Sequence, residues 1–316
     1  MKRIAIIGEC MIELNGAPFG AMQQTYGGDS LNTAVYLART AGEAVNIDYI
    51  TAMGTDALSR GMVARWQQEG LNTDHVLRDE QRQPGLYLIQ LDEQGERTFL
   101  YWRNQSAARY LLQHPDFDTI AAHLAGCDLV YLSGISLAIL PAEDRARLLS
   151  LLKSLSQQGV AIAFDSNYRP ALWQDLEETR AAYGEILSFT ELALLTFDDE
   201  QAIWGDEVPE AALSRLYRQG VKKAVLKLGA EGCLYGEAAS GQAELIGTTP
   251  VARVVDTTSA GDAFNAGFLA GYLQDLPAAE SCRQGHRLAG IVIQHKGAII
   301  PASATADVLF TTTRNA

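Results

Sequence analysis

Between positions 256 and 262 the chain reads DTTSAGD, and the residues that follow, AFNAGFLAGYL, have helical spacing with Phe264, Phe268 and Tyr272 on one stripe. A tight turn of small residues ahead of a helix is a place for an anion, because the first helical amides lack internal partners and stand at the positive end of the dipole. Small side chains let a phosphate approach the backbone. If that anion is a transferring phosphoryl group, a carboxylate in the same turn, Asp262, can take the proton from the attacking hydroxyl. The same residues also suit a plain joint, in which Asp262 or Thr258 caps the helix and Gly261 serves geometry. From this stretch alone both readings stand. The pattern is neither GxxxxGK[ST] nor GxGxxG, so a P-loop ATPase or a dinucleotide reader is not supported.

Three further stretches carry polar groups in suggestive places. In YGGDSLNTAVYLARTAG (26–42), Gly27 and Gly28 permit close backbone approach, while Asp29 and Asn32 offer a carboxylate and an amide to a polyol. A simple N-capped helix fits the same letters. DSNYRPALW (165–173) follows the apolar run VAIAF, so Asn167 and Arg169 fall just beyond the carboxyl end of a strand, where open α/β sheets bind ligands. Arg169 could clamp a carboxylate or phosphate there, or make a surface salt bridge. LKLGAEGCLYG (226–236) reads as a strand, a Gly-x-x-Gly turn and another strand, and Lys227 either edges a nucleotide pocket or belongs to an ordinary hairpin.

The elements that must position these residues alternate. CDLVYLSG (127–134), a helix over 141–159, VAIAFDSN (160–167), a helix within 175–188, ELALLTF (191–197), helices within 199–219 and KKAVLKLG (222–229) give βαβα order. That order predicts an α/β fold with a doubly wound, mostly parallel sheet flanked by helices. Val254 and Val255 are expected to end a strand, and PAAESCRQGHRLAGIVIQHKG to form a closing helix. GLYLIQLDEQGERTFLYWRN (85–104) breaks the alternation as a β-hairpin turning at Asp92-Glu93-Gln94-Gly95. Period two puts Phe99, Tyr101 and Arg103 on one face of its second strand, with Tyr87 on the partner strand. The hairpin reads as a lid over a site or as a plain edge.

With 316 residues, no repeats and no linker-like tract, the chain is expected to form a single domain over 1–316, its small β-sheet lid built from excursions near 12–26 and 85–104. A net charge of −13 argues against nucleic acid or an anionic membrane as partner and makes convergent arginines notable. The opening MKRIAIIGE holds too short an apolar run for a signal peptide, and no window approaches the ~18 apolar residues of a membrane span. Cys10, Cys127, Cys233 and Cys282 are well separated, as expected of reduced thiols in a cytoplasmic protein. Cys282 and His286 share a helical face, and core packing is the expectation there.

In order along the chain, GG-x-x-x-N-x-A, K-x-G-x-x-G and D-T-T-x-A-G-D resemble the ribokinase, or PfkB, family of carbohydrate kinases. The resemblance runs from GECMIEL to HKGAIIP. Within the family GGDSLN, TFLYWRN and DSNYRPALW look like members that phosphorylate a keto-deoxy sugar acid at its terminal hydroxyl. The resemblance implies a small sugar-acid substrate and ATP with Mg²⁺. A ketohexose, another keto-deoxy acid, or a non-catalytic sensor on the same fold are the alternatives. It makes Asp262 the base and the amides of Ser259, Ala260, Gly261 and Asp262 the anion hole, Ser259 and Gly261 also touching nucleotide. Gly27, Gly28 and Asn32 would hold sugar hydroxyls, with Tyr87, Tyr101, Arg103 and Arg169 around them. Asn167, Lys227, Gly229 and Gly232 would line the nucleotide side.

Two departures from the family pattern stand out. Ser259 replaces a common glycine, so that position is expected to lie outside the positive-φ region. The family's N-x-x-E element falls on Thr196 and Asp199, with Glu200 an equally reasonable acid, so Asp199 and Glu200 are the expected metal-side residues, acting through water. A homo-oligomer, paired through the lid, is a further expectation.

Overall fold

The computed structural model describes residues 1–17, 19–91 and 97–309; the expected hairpin turn at Asp92–Gly95 lies outside them. In chain order the strands are β1 (Lys2–Ile7), β2 (Met11–Gly16), β3 (Met22–Gly27), β4 (Val45–Ile50), β5 (Ala52–Gly54), β6 (Leu77–Asp79), β7 (Leu86–Leu91), β8 (Arg97–Trp102), β9 (Leu129–Ser133), β10 (Ala161–Asp165), β11 (Leu192–Thr196), β12 (Lys223–Lys227), β13 (Cys233–Glu237) and β14 (Ala243–Ile246). Eight of them form the main sheet in the order β14-β13-β12-β11-β10-β9-β1-β4. The six from β12 to β4 run parallel, and β13 and β14 turn back antiparallel at one edge.

The central strands are apolar on both faces because helices cover both. Leu129–Ser133 is buried at every position, and Ile4, Ile6, Ile162, Phe164, Leu194 and Leu195 are all fully buried. One core layer packs under Ala142–Gln157, Leu176–Leu187 and Pro209–Gln219. The other packs under Asp29–Ala41, Ala260–Tyr272 and Ala278–Val292. Closing the second layer needs glycine where helices touch: a Cβ at Gly267 would stand 2.7 Å from the Gln284 carbonyl oxygen. The helices at 176–187 and 209–219 lie inside their expected windows, that at 197–204 begins two residues ahead of its window, at Phe197, which was expected to end a strand, and the closing helix is Ala278–Val292.

β3, β2, β7 and β8 form a separate four-stranded sheet, with β2 and β7 parallel and both outer pairs antiparallel. The two predicted excursions therefore meet in one layer. One expected strand is absent: Val254 and Val255 lie in irregular chain and are half exposed. β-Branched residues suit a strand only when a ladder partner is at hand. Here Val255 and Asp256 donate their amides to the carbonyl of Ile293, at the end of the closing helix. Among the described residues no helix is long and apolar enough to cross a membrane.

Candidate active site

Beyond the carboxyl ends of the parallel strands lies a cavity of about 800 Å³, walled on one side by the small sheet and on another by the start of the helix Ala260–Tyr272. The fold brings most of the sequence-selected residues to it. Gly28, Asn32, Tyr87, Tyr101, Arg103, Asn167, Arg169, Asp199, Lys227 and the run Ser259–Asp262 all line this space, as do Asp29 and Thr196. Gly27, Gly229, Gly232 and Glu200 do not.

The Asp262 carboxyl is 9 % exposed and held through Oδ2, which accepts from Asn32 Nδ2 at 2.8 Å and from Ser259 Oγ at 2.9 Å. Burial, followed by the nearby Asp29 carboxylate, pushes its pKa up to about 7. It is thus a carboxylate poised to exchange a proton near neutrality. Gly261, one residue earlier, has unused space: a Cβ there would meet only Lys227 Nζ, at 3.6 Å. Its φ is not positive, so the empty protein does not need glycine at this position. What the missing Cβ leaves room for is a group approaching the helix's first amides, and a phosphate oxygen fits.

Ser259 differs from expectation. It lies in the left-handed region, with φ 67° and ψ 11°, immediately before the helix. A non-glycine residue there costs roughly 1–2 kcal/mol. One contact accounts for it in part: the Ser259 hydroxyl donates to the Asp262 carboxylate. The upstream Asp256 braces the loop, accepting from the amides of Thr258 at 3.0 Å and Gly297 at 2.8 Å.

Gly28 is required sterically rather than conformationally. A Cβ there would stand 2.1 Å from the Glu9 carbonyl oxygen, so β1's exit and the start of the helix Asp29–Ala41 meet only through glycine. Gly27 leaves room for the Tyr87 hydroxyl, 2.9 Å from a Cβ built on it. Asn167 also has positive φ, 30°, and its Nδ2 donates to Asp29 Oδ2 at 2.7 Å. That contact ties the end of β10 to the Gly28–Asn32 side of the cavity.

Two polar side chains of the small-sheet wall already have protein partners. The Arg103 guanidinium is paired with the buried Glu9 carboxylate, whose other oxygen accepts from Ser106 Oγ at 2.5 Å. Its buried Nε has no partner within the protein. The Tyr87 hydroxyl donates to Glu13. Arg169, in contrast, is exposed and among the described residues bonds its neighbour's carbonyl, Tyr168 O at 2.8 Å. Lys227 is buried, with Nζ 3.2 Å from Asp165 Oδ1 and 3.1 Å from Asn265 Oδ1.

Glu200 is turned away from the cavity into an ion pair with Arg215 at 2.5 Å, while burial lifts its pKa to about 7. A helix carries successive side chains about 100° apart, so Asp199 and Glu200 cannot both face the site. Asp199 faces it, its Oδ2 accepting from Ser166 Oγ at 2.9 Å and the Tyr168 amide at 3.1 Å. Gly229 and Gly232 shape the reversal between β12 and β13, both at positive φ. Glu9, Asp165 and Asn265 were missed. The signal for the first two was their place at the carboxyl end of an apolar strand.

The pfkB family of carbohydrate kinases matches residues 1–305. The chain is 56 % identical to the 2-dehydro-3-deoxygluconokinase of Haemophilus influenzae, over 95 % of this chain and 96 % of that one. It is 48 % identical to the enzyme of the same name from Dickeya dadantii, over 96 % and 98 %. Among solved structures, a PfkB protein from Polaromonas sp. superposes with a TM-score of 0.82 at 25 % identity, over 97 % of this chain and 99 % of that one. Their agreement with the cavity's contents leaves one conclusion: the chain belongs to the pfkB family of carbohydrate kinases.

Proposed function

We propose that this protein transfers the terminal phosphoryl group of ATP to the terminal (6-) hydroxyl of 2-dehydro-3-deoxygluconate, giving the 6-phosphate and ADP. One observation carries the reading: a base-like carboxylate at a helix start, Asp262, shares a cavity with two guanidiniums, Arg103 and Arg169. A phosphoryl acceptor that is itself a carboxylate needs both. Two relatives sharing about half their residues with this chain bear the name of that activity.

In this reading Asp262 accepts the proton of the substrate hydroxyl as its oxygen bonds to the γ-phosphorus and the bond to the ADP oxygen breaks. The amides of Ser259, Gly261 and Asp262 would face the negative charge; that of Ala260, expected among them, already donates to the Thr257 carbonyl at 3.1 Å. Asn32 holds Asp262 in place and, with Gly28 and Asp29, faces the sugar hydroxyls; Gly27 acts behind them by admitting Tyr87. Arg169 and the free Nε of Arg103 receive the sugar's carboxylate, with Tyr101 over the chain. Lys227 and Asn167 stand toward the phosphates, and Gly229 and Gly232 set the turn bordering the nucleotide. Asp199 would hold, through water, the Mg²⁺ that comes with ATP, which would supply charge to offset the phosphates.

The protein as a whole would fold as one domain under a small-sheet lid. Copies would pair through that sheet's outer face, where Leu100 and Trp102 are 39 % and 58 % exposed. A monomeric mass in light scattering would contradict the pairing. Four free, buried cysteines suit a reducing cytoplasm. The functional reading is tested by incubating protein, ATP and 2-dehydro-3-deoxygluconate and locating the phosphate in the product by phosphorus–proton coupling. Coupling to the terminal methylene is expected. Coupling elsewhere, or no product, would overturn it.

A further inference from the structure

Far from the cavity, near the amino-terminal ends of the parallel strands, a carboxylate, an imidazole and a thiol converge. Asp48 lies in β4, His123 on the helix Phe117–Leu124, and Cys127 just before β9. One ligand atom from each falls within 4.8 Å of the other two. Asp48 and Cys127 are buried, and the His123 side chain is 17 % exposed, which leaves an edge open to solvent.

We propose that Asp48, His123 and Cys127 form a binding site for one Zn²⁺ ion, with water at the fourth position. Zinc takes carboxylate oxygen, imidazole nitrogen and thiolate sulfur at roughly 2.0–2.3 Å in a tetrahedral shell. Donors in such a shell lie ~3.3–3.8 Å apart, so the imidazole and carboxylate need only part slightly and the thiol close by about an ångström. His123 Nε2 and Asp48 Oδ2 are already 2.9 Å apart. The outer contacts are those of a held ligand set: Asn72 Nδ2 donates to Asp48 Oδ1 at 2.7 Å. The His75 ring stacks on that of His123, with centroids 3.7 Å apart. Arg3 Nε lies 3.9 Å from Asp48 Oδ2, and its side chain, 44 % exposed, can swing into water.

Charge also balances. Cys127 would enter the site as a thiolate. On binding, the Sγ–H bond breaks, the proton goes to solvent and an S–Zn bond forms. His123 binds through Nε2 with its proton on Nδ1. One carboxylate, one thiolate and one Zn²⁺ sum to zero, which a buried site tolerates. The ion would pin β4 to the segment 117–127, a clip on the fold rather than part of catalysis.

The test uses the intact protein stripped with chelator and titrated with Co²⁺ in excess Mg²⁺, then displaced by Zn²⁺. A thiolate-to-cobalt charge-transfer band saturating at one equivalent is expected, and Zn²⁺ should abolish it. No cysteine lines the catalytic cavity, so metal bound there cannot give this band. Cys127→Ser should eliminate the band, and His123→Gln should weaken cobalt binding at least tenfold. Cys282→Ser should leave it intact. Zn²⁺ should raise the melting temperature of the parent protein but of neither site variant. If Cys127→Ser fails to fold, His123→Gln alone decides. No band in the parent, a band that survives Cys127→Ser, or one lost in Cys282→Ser would overturn the assignment.

Discussion

The two walls of the cavity are built on opposite terms. On the small-sheet wall the polar groups are already engaged: Arg103 with Glu9, Tyr87 with Glu13. On the helix wall the provisions face outward. Asp262 is held through one oxygen, Gly261 leaves space the empty protein does not use, and of the amides at this helix start the one at Ala260 is bonded, to the Thr257 carbonyl. The difference teaches that one wall is preformed for recognition and the other for charge that arrives with the reaction. Losses on the helix wall should fall on kcat, and losses on the sheet wall on KM or on the fold.

The largest break is Asp262→Asn. It keeps the shape and an acceptor for Asn32 and Ser259 but removes the base, so kcat should fall about 10²–10⁴-fold while calorimetric sugar binding changes little. Near-normal kcat would place the base elsewhere. Next is Gly261→Ala, which the fold has room for. Melting temperature should stay put while kcat drops about 10²-fold, because the methyl stands where the phosphoryl oxygens approach the amides. Equal loss of stability and activity would mean the glycine serves the fold.

On the sheet side the two arginines separate. Arg103→Ala strands the buried Glu9 charge and should cost about 3–5 kcal/mol of stability, read from urea denaturation, in addition to raising KM. Arg169→Ala leaves no buried charge behind. It should raise KM for the sugar acid about tenfold, leave KM for a neutral ketose unchanged, and keep stability within error. Equal effects on both substrates would remove Arg169 from carboxylate recognition.

The smallest effect is the pH profile. As the proposed base Asp262 would work ionised, and with its pKa raised to about 7 it would be protonated and idle below that pH. The kcat/KM for sugar should rise with pH, reach half its plateau near 7 and flatten above. A flat profile between about pH 6 and 8 would contradict the assignment.

Much of this was legible in the sequence because local signals and tertiary needs agree. Apolar runs alternating with helical windows fixed the parallel sheet, and the small residues of 256–262 marked the helix start. The backbone at Ser259 was misread because residue preference spoke against positive φ, while the geometry of the turn and a hydrogen bond to Asp262 decided otherwise. Glu9 and Arg103 are 94 positions apart, and no local pattern joins them. Only the folding of the small sheet against β1's exit reveals that the cation is already paired. Val254 and Val255 mislead for the same reason: their letters suit a strand, but no strand runs beside them.

The central claim is that the cavity selects a sugar acid as phosphoryl acceptor, and its most direct test is ADP release by the purified protein over a panel. The panel pairs 2-dehydro-3-deoxygluconate with its 5-keto-2-deoxy isomer, fructose and other neutral ketohexoses. The account predicts that 2-dehydro-3-deoxygluconate has the highest kcat/KM, by about 10²-fold or more over any neutral sugar, the worth of a charge-assisted carboxylate contact. A neutral ketohexose turned over as well as the acid, or better, would contradict it.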